Sequence, residues 1–311
     1  MKKLIKHCAP ACTAVLIFIT MTLSSCTTMG GLLTNLATEI AVTEGVISRD
    51  TATRVQSAVE KSETASQGFT VEQEYSIGRG VASSILASYP LYQKEELTLY
   101  VNLVLQSLVA NSETLEMING YHAAVLDTNE INAFATSGGH ILITKGLLKC
   151  AQSEDELACI LAHELAHIQL QHNINAITAE RKKDAGKAWG EALVSVAADN
   201  VDAMKELQKD FETVINTGAV LFESGYPQSQ EFAADKKALE YAAAAGYNVK
   251  AMESVLEMLD KNTKPGQTGF GKNHPTPTSR LKSLKDQYNL YPSFNTEKVR
   301  TDRFNQAIKS L

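Results

Sequence analysis

The segment His163-Glu164-Leu165-Ala166-His167 combines residue types that bind a metal ion with one that moves a proton. Histidines four positions apart on a helix lie on one face, so both imidazoles point toward the same place. Two nitrogen ligands in that arrangement suit zinc, which lowers the pKa of a bound water toward neutrality. Glu164, one step round the helix, is placed to take the proton of that water as a general base. The pattern predicts a hydrolytic zinc site that acts on amide bonds.

The residues flanking this motif predict a buried helix, since the run 157–162 and residues Leu165, Ala166 and Ile168 are apolar. Two histidines and a glutamate are costly in a protein core unless something pairs with them, and a metal ion does so. His172 follows His167 by five positions, which on one continuous helix is a rotation of about 140°. We therefore expect His172 to point away from the metal, in a structural or surface role.

A catalytic zinc site needs a third protein ligand, and Glu231 is the best candidate. It begins the segment Glu231-Phe232-Ala233-Ala234-Asp235, which predicts a helix with both carboxylates on one face. Glu231 would bind the metal, and Asp235 would accept a hydrogen bond from the far ring nitrogen of a ligand histidine. On local grounds a solvated acidic helix face explains the same pair equally well.

Periodicity along the chain predicts an α+β fold, predominantly helical with a small β-sheet. Helices are expected over 72–86, 95–108, 146–151 and 154–171, and mostly helical structure follows. Strands are expected over 122–126 and 141–144, with a short extended piece at 132–135 and a turn at 137–139. The charged, alanine-rich stretch 173–224 is expected to pack as helix, with a lid or a partner surface as the alternatives. No internal repeat is evident.

The first residues of the chain are typical of a bacterial lipoprotein leader. Lys2, Lys3 and Lys6 precede a short apolar run that ends in Leu23-Ser24-Ser25-Cys26, which resembles a lipobox. We predict a signal peptide over 1–25 and lipidation of Cys26, with an ordinary cleaved signal as the alternative. The further divisions are a helical, polar spacer from the membrane over 26–68, a catalytic domain over 69–290 and a C-terminal tail over 291–311.

Charge and cysteine content narrow the class of partners. Removal of the three leader lysines leaves 26 basic against 35 acidic residues, a formal charge of −9, so nucleic-acid binding is not expected. An acidic protein gains nothing from anionic lipid, so an acyl anchor would provide membrane attachment. No aspartate follows Cys26, which favours the outer membrane facing the periplasm over the inner membrane.

Cys150 and Cys159 are expected to be small buried side chains, although a disulfide between them stays open.

Several motifs in one order resemble the M48 family of zinc metallopeptidases, in its bacterial lipoprotein form. They cover roughly residues 70–285 and are specific when taken together. Beside the zinc helix they are Asn132-Ala133-Phe134-Ala135, Gly138-Gly139-His140-Ile141, Gly146-Leu147-Leu148, Glu156-Leu157-Ala158, Glu231 to Asp235, Ala245-Gly246-Tyr247, His274-Pro275 and Arg280. Pro227-Gln228 departs from the Ser-Arg of many relatives, which puts in doubt a salt bridge near the site but not the ligands.

The resemblance implies a gluzincin-type site with one zinc ion held by His163, His167 and Glu231, Glu164 as the base and Asp235 behind a ligand. It also implies that residues 132–135 (Asn132, Ala133, Phe134 and Ala135) form an edge strand that binds an extended substrate peptide. His274 would lie near the metal, where it stabilises an oxyanion or occupies the open zinc position. Arg280 would support that loop or the substrate, and a turn residue before Pro275 is the alternative for His274.

The function expected from these features is a membrane-anchored zinc metalloendopeptidase in envelope protein quality control. Its substrates would be unfolded or misassembled proteins, and the envelope assembly machinery is a possible partner. The alternative is a chaperone-like outer-membrane assembly lipoprotein whose zinc site is mostly closed and rarely catalytic. A purely structural lipoprotein is disfavoured by the intact ligand set.

Overall fold

A computed structural model describes residues 28–43, 45, 47–112, 116–198, 225–262, 274, 276–294, 296–309 and 311. The predicted leader, the lipidation site Cys26 and residues 199–224 lie outside this part of the chain. The chain divides into two compact units, Met1–Gly68 with Ile177–Glu212 and Phe69–Ala176 with Thr213–Leu311. No helix within the described residues is long and apolar enough to cross a bilayer.

The first unit contains helices α1 (Thr28–Thr43) and α2 (Arg49–Ser66), which pack together. The α2 helix begins after Ser48, whose side chain accepts a hydrogen bond from the backbone N–H of Thr51 at 3.0 Å. Gln56 of α2 donates a hydrogen bond to Thr38 of α1 at 3.0 Å. Small side chains let these helices approach closely, and a small cluster of buried residues completes the unit: Val55, Ala58 and Ala192.

The second unit contains a three-stranded sheet made of β1 (His122–Leu126), β2 (Ala133–Thr136) and β3 (His140–Thr144). Their order is β1-β3-β2, with β1 parallel and β2 antiparallel to β3. The glycine-containing turn predicted at 137–139 joins β2 to β3, and Gly139 there has a φ of 83°. Because β3 is central, one edge of β2 has no neighbouring strand among the described residues.

Helices surround this sheet in the second unit, and the predicted α+β, predominantly helical class is confirmed. A Cβ on Gly78 of one of them would lie 2.0 Å from the backbone nitrogen of Gly138, so only glycine allows that helix to contact the β2–β3 turn. The helices are α3 (Val71–Ser88), α4 (Glu95–Ala110), α5 (Lys145–Cys150), α6 (Glu154–Gln169), α7 (His172–Ala198, which continues into the first unit), α8 (Gln228–Ala244), α9 (Ala251–Asn262), α10 (Pro277–Leu284) and α11 (Glu297–Ile308).

The α6 helix carries the histidine motif through the centre of this unit, and every residue from Glu154 to Ile168 is buried. It begins at a capped position, because the Ser153 side chain accepts a hydrogen bond from the N–H of Glu156 at 3.2 Å. Helices α4, α8, α9 and α11 and strand β2 all pack against it. Burial on every side explains why its sequence lacks the one-sided pattern of a surface helix.

Residues 291–311, predicted as a C-terminal tail, include the α11 helix. Phe304 of α11 is fully buried in the core of the second unit. Arg300 donates to Asp155 at 3.0 Å, and Arg303 donates to Glu154 through its Nε at 2.5 Å. These pairs join α11 to the N-terminal turn of α6, where carboxylates also interact favourably with the helix dipole.

Candidate active site

Four side chains with metal-binding atoms converge in the second unit: His163, His167, Glu231 and His274. One ligand atom from each lies within 4.8 Å of all the others. The Nε2 atoms of His163 and His167 are 3.1 Å apart. Each lies 3.5 Å from a carboxylate oxygen of Glu231. Three imidazoles and a carboxylate are the ligand types that zinc binds in proteins, so the donor set fits this ion.

Two packed helices and one loop position this group. The α6 helix supplies His163 and His167, and the first turn of α8 supplies Glu231. Alanines are fully buried on both helices, and side chains this small allow close approach of the helix axes: Ala162 and Ala166 of α6 and Ala234 and Ala238 of α8. His274 precedes α10, and its Nδ1 lies 2.8 Å from the Glu231 carboxylate.

The protonation of two buried ligands, Glu231 and His167, suits cation binding. Burial raises the pKa of Glu231, but the neighbouring His274, His163 and His167 outweigh burial and hold this pKa well below its usual range. Burial lowers the pKa of His167 well below its usual range, although the Glu231 charge opposes this shift. An ionised carboxylate and a neutral imidazole are the forms that bind a metal ion.

Asp235 lies behind the first ligand, with its Oδ1 atom 2.9 Å from Nδ1 of His163. Arg280 holds both oxygens of this carboxylate by donating from Nε to Oδ2 at 2.8 Å and from Nη2 to Oδ1 at 2.5 Å. Burial raises the pKa of Asp235, but the Arg280 charge outweighs burial and lowers it to about 2. Burial and Arg280 lower the pKa of His163, but hydrogen bonds with Asp235 and Glu231 raise it to about 9. The pair orients this imidazole with its Nε2 toward the other ligands.

His172 lies behind the second ligand, contrary to the expectation that it points away. Its Nδ1 atom is 2.9 Å from Nδ1 of His167, and its side chain is buried. The expected direction was wrong because it assumed one continuous helix, whereas the expected structural role agrees with the contact between His172 and His167. The α6 helix ends at Gln169, and Gln171 has a φ of 52°, which redirects the chain before α7 begins at His172.

Glu164 is 2% exposed, and its Oε1 atom has no hydrogen-bond partner among the described residues. Burial raises the pKa of this carboxyl, while the nearby His163 and His274 oppose the shift. A buried carboxyl with a raised pKa and a free oxygen is suited to exchanging protons with a molecule bound beside it.

Asn132 lies just before the outer strand β2, and Ala133, Phe134 and Ala135 lie within it. Thr144 accepts a hydrogen bond from the N–H of Asn132 at 3.1 Å, which ties the start of β2 to the central strand. Asn173 donates from its side chain to the Ala135 carbonyl at 2.7 Å. Since His172 contacts a ligand histidine and Asn173 contacts β2, one pair of consecutive residues links the strand edge to the histidine cluster.

Sequence reasoning missed two residues at the site. Asn173 follows His172 directly, and no local pattern distinguishes it from other polar residues of α7. The Tyr226 ring stacks on His167 with centroids 4.2 Å apart and planes 22° apart. Its position in the break Gly225-Tyr226-Pro227, just before the helix of Glu231, is the one signal that points to it. Cys150 and Cys159 form no disulfide; Cys159 is buried as predicted, whereas Cys150 is only half-buried.

Comparison with known proteins gives relatives with named activities. The beta-barrel assembly-enhancing protease of Yersinia pestis is 28% identical over 232 residues, which are 73% of this chain and 46% of that protein. The protein of the same name from Escherichia coli K12 is 26% identical over 255 residues, 80% of this chain and 50% of that protein. The mitochondrial metalloendopeptidase OMA1 of Schizosaccharomyces pombe is 28% identical over 193 residues, 61% of this chain and 52% of that protein.

The chain thus spans about half the length of the curated relatives it matches. Residues 95–288 match the family described as peptidase family M48, whose members are zinc metallopeptidases. The matched range holds all four converging side chains together with Glu164, Asp235 and Arg280, and it covers more than half of the sequence. The chain therefore belongs to peptidase family M48.

Proposed function

We propose that this protein is a zinc metalloendopeptidase of the bacterial envelope, anchored to the membrane by a lipid on Cys26. The observation that carries the proposal is the convergence of His163, His167 and Glu231 beside the unpaired carboxylate oxygen of Glu164. These three side chains would hold zinc, and membership of the M48 family supports that choice of metal.

The chain's own residues would perform the proton transfers of amide hydrolysis. Zinc, when bound, supplies the Lewis acidity that polarises a carbonyl and lowers the pKa of water. Glu164 takes a proton from the attacking water and returns it to the leaving amide nitrogen. Asp235 holds the Nδ1–H of His163, and Arg280 holds Asp235, so the ligand keeps one tautomer throughout the cycle.

The substrate class we propose is unfolded or misassembled envelope protein. An extended chain can add by main-chain hydrogen bonds to the part of the β2 edge that Asn173 does not occupy, a mode that needs no particular sequence. Bacterial relatives named beta-barrel assembly-enhancing protease support a link to outer-membrane assembly. With a lipobox-like segment before Cys26, these relatives favour the outer membrane facing the periplasm.

Zinc content and casein cleavage, measured on the same samples, test the proposal. We expect one zinc per chain and cleavage for the wild type, zinc without cleavage for Glu164→Gln, and loss of both for His163→Ala. Glu253→Gln, an exposed carboxylate on α9, is the matched control and keeps both properties. A wild-type protein that does not hold one zinc per chain after incubation with zinc would contradict the proposal.

His274 would occupy the fourth zinc position in the arrangement described here, since its Nδ1 belongs to the same group of ligand atoms. His274→Ala should keep one zinc, because three protein ligands remain. Casein cleavage should rise about tenfold, the gain expected when the open state grows from roughly a tenth of molecules to nearly all. A fall in cleavage of that size would instead assign His274 to oxyanion stabilisation.

The four-donor group also gives some support to a chaperone-like lipoprotein with a mostly closed site as an alternative. Glu164→Gln separates the two functions in cells that lack the native protein. Full rescue of envelope integrity by this variant would favour the chaperone-like role, whereas failure of rescue at normal protein levels favours proteolysis.

A further inference from the structure

The free edge of β2 presents the main-chain groups of alternate residues. Thr144 donates its N–H to the Asn132 carbonyl at 3.1 Å, so Asn132, Phe134 and Thr136 direct their polar groups toward β3. Ala133 and Ala135 consequently direct theirs toward the open side. The Asn132 side chain accepts a hydrogen bond from the Ala133 N–H at 3.0 Å, while Asn173 donates to the Ala135 carbonyl.

The Asn173 carboxamide thus occupies the edge as a peptide group of a neighbouring strand would. Its nitrogen pairs with Ala135, but its Oδ1 atom has no partner among the described residues, although the side chain is only 6% exposed. A buried acceptor without a donor costs about 1–3 kcal/mol. That cost is removed if a bound molecule supplies an N–H.

Tyr226 presents the complementary group. Its ring packs against both the second ligand and the histidine behind it, with centroid distances of 4.2 Å to His167 and 5.8 Å to His172. The hydroxyl is buried, and no described residue makes a hydrogen bond of normal geometry with it, although the Asn173 side chain lies close enough to interact with it. A tyrosine hydroxyl is protonated at neutral pH, so this group can donate a hydrogen bond.

We propose that the Asn173 Oδ1 and the Tyr226 hydroxyl bind the main chain of the substrate beside the metal, one accepting an N–H and the other donating to a carbonyl. The inference rests on the proposed function, because it takes a peptide as the ligand of this site. One acceptor and one donor match the two polar groups of a peptide backbone. Recognition by these atoms adds anchoring at the cleavage site without selecting side chains, as an unfolded-protein substrate requires.

Binding of fluorescein-labelled casein to the zinc-loaded full chain tests this inference in a Glu164→Gln background, where nothing is cleaved. Asn173→Ala and Tyr226→Phe should each raise the Kd about three- to tenfold, the value of one neutral hydrogen bond. Asn175→Ala is the control for the first, since Asn175 is exposed on the same helix. Tyr288→Phe is the control for the second, because its hydroxyl is also buried and unpartnered among the described residues. Both controls should stay within twofold.

A Kd within twofold of the parent for Tyr226→Phe would overturn the inference, even if Asn173→Ala failed to fold, because phenylalanine keeps the stacked ring. Loss of zinc from Tyr226→Phe would overturn it as well, since the tyrosine would then only support His167. The proposed function fails separately: its failure is a wild-type chain that does not hold zinc or cleave casein, whereas this inference fails in a chain that does both.

Discussion

At the residue scale, the two histidine ligands are oriented by different partners. Asp235 and Arg280 hold His163 through a charged pair, whereas His172 holds His167 through a single contact at 2.9 Å. Groups behind a metal ligand fix its tautomer, and their loss typically lowers metal affinity about 10- to 100-fold. Both imidazoles therefore depend on side chains that would never touch the ion.

We predict that His172→Ala weakens zinc binding about tenfold, because His167 loses the group that orients its ring. His172→Asn should retain part of the affinity, since an amide can occupy the position of Nδ1. His122→Ala, an exposed histidine on β1, is the matched control. Competition with a chelating dye measures the zinc affinity directly. Equal affinities for the alanine variants of His172 and His122 would remove His172 from the site.

The role of a residue can be predicted from the sequence when its position depends only on spacing within one helix or strand. His163, Glu164 and His167 lie on one helix, and the pair Glu231 and Asp235 lies on another, so helical spacing alone predicts their faces. The role of His172 depends on the end of α6 and on a left-handed residue at Gln171, which no periodic pattern encodes.

At the element scale, α6 is held at its start by α11. Glu154 and Asp155 are buried in the first turn of α6, and each pairs with an arginine of α11. Periodicity in the sequence reveals the α6 helix and the strands, because their patterns are contained within each segment. It cannot reveal the position of α11, because Arg300 and Arg303 bind carboxylates far away in the chain.

We predict that Arg300→Ala lowers the free energy of unfolding by about 3 kcal/mol, because the buried Asp155 carboxylate loses its charged partner and keeps the N–H of Asn248. Lys298→Ala is the matched control, since Lys298 is exposed on the same helix and should change stability by less than about 0.5 kcal/mol. Urea unfolding of the full chain measures both variants. A cost for Arg300→Ala no larger than the control's would show that α11 does not stabilise the start of α6.

At the scale of the whole molecule, the proposed zinc site and the proposed membrane anchor lie in separate parts of the chain. The site belongs to the unit that contains Phe69–Ala176 and Thr213–Leu311, whereas Cys26 lies in the other unit's sequence. The acidic composition provides no attraction to anionic lipid, so attachment would depend on acyl chains alone. Anchoring and cleavage should therefore be separable by mutation.

We predict that Cys26→Ser moves the protein from the membrane fraction to the soluble fraction and removes labelling by a clickable palmitate analogue. Casein cleavage by the purified variant should equal that of the wild type, because every proposed zinc ligand remains. Cys12→Ser, which changes a leader cysteine outside the lipobox-like segment, is the matched control and should keep both label and membrane attachment. Retention of the label in Cys26→Ser would exclude Cys26 as the acylated residue. Loss of the label with unchanged membrane attachment would mean that a protein surface, not a lipid, holds the enzyme at the membrane.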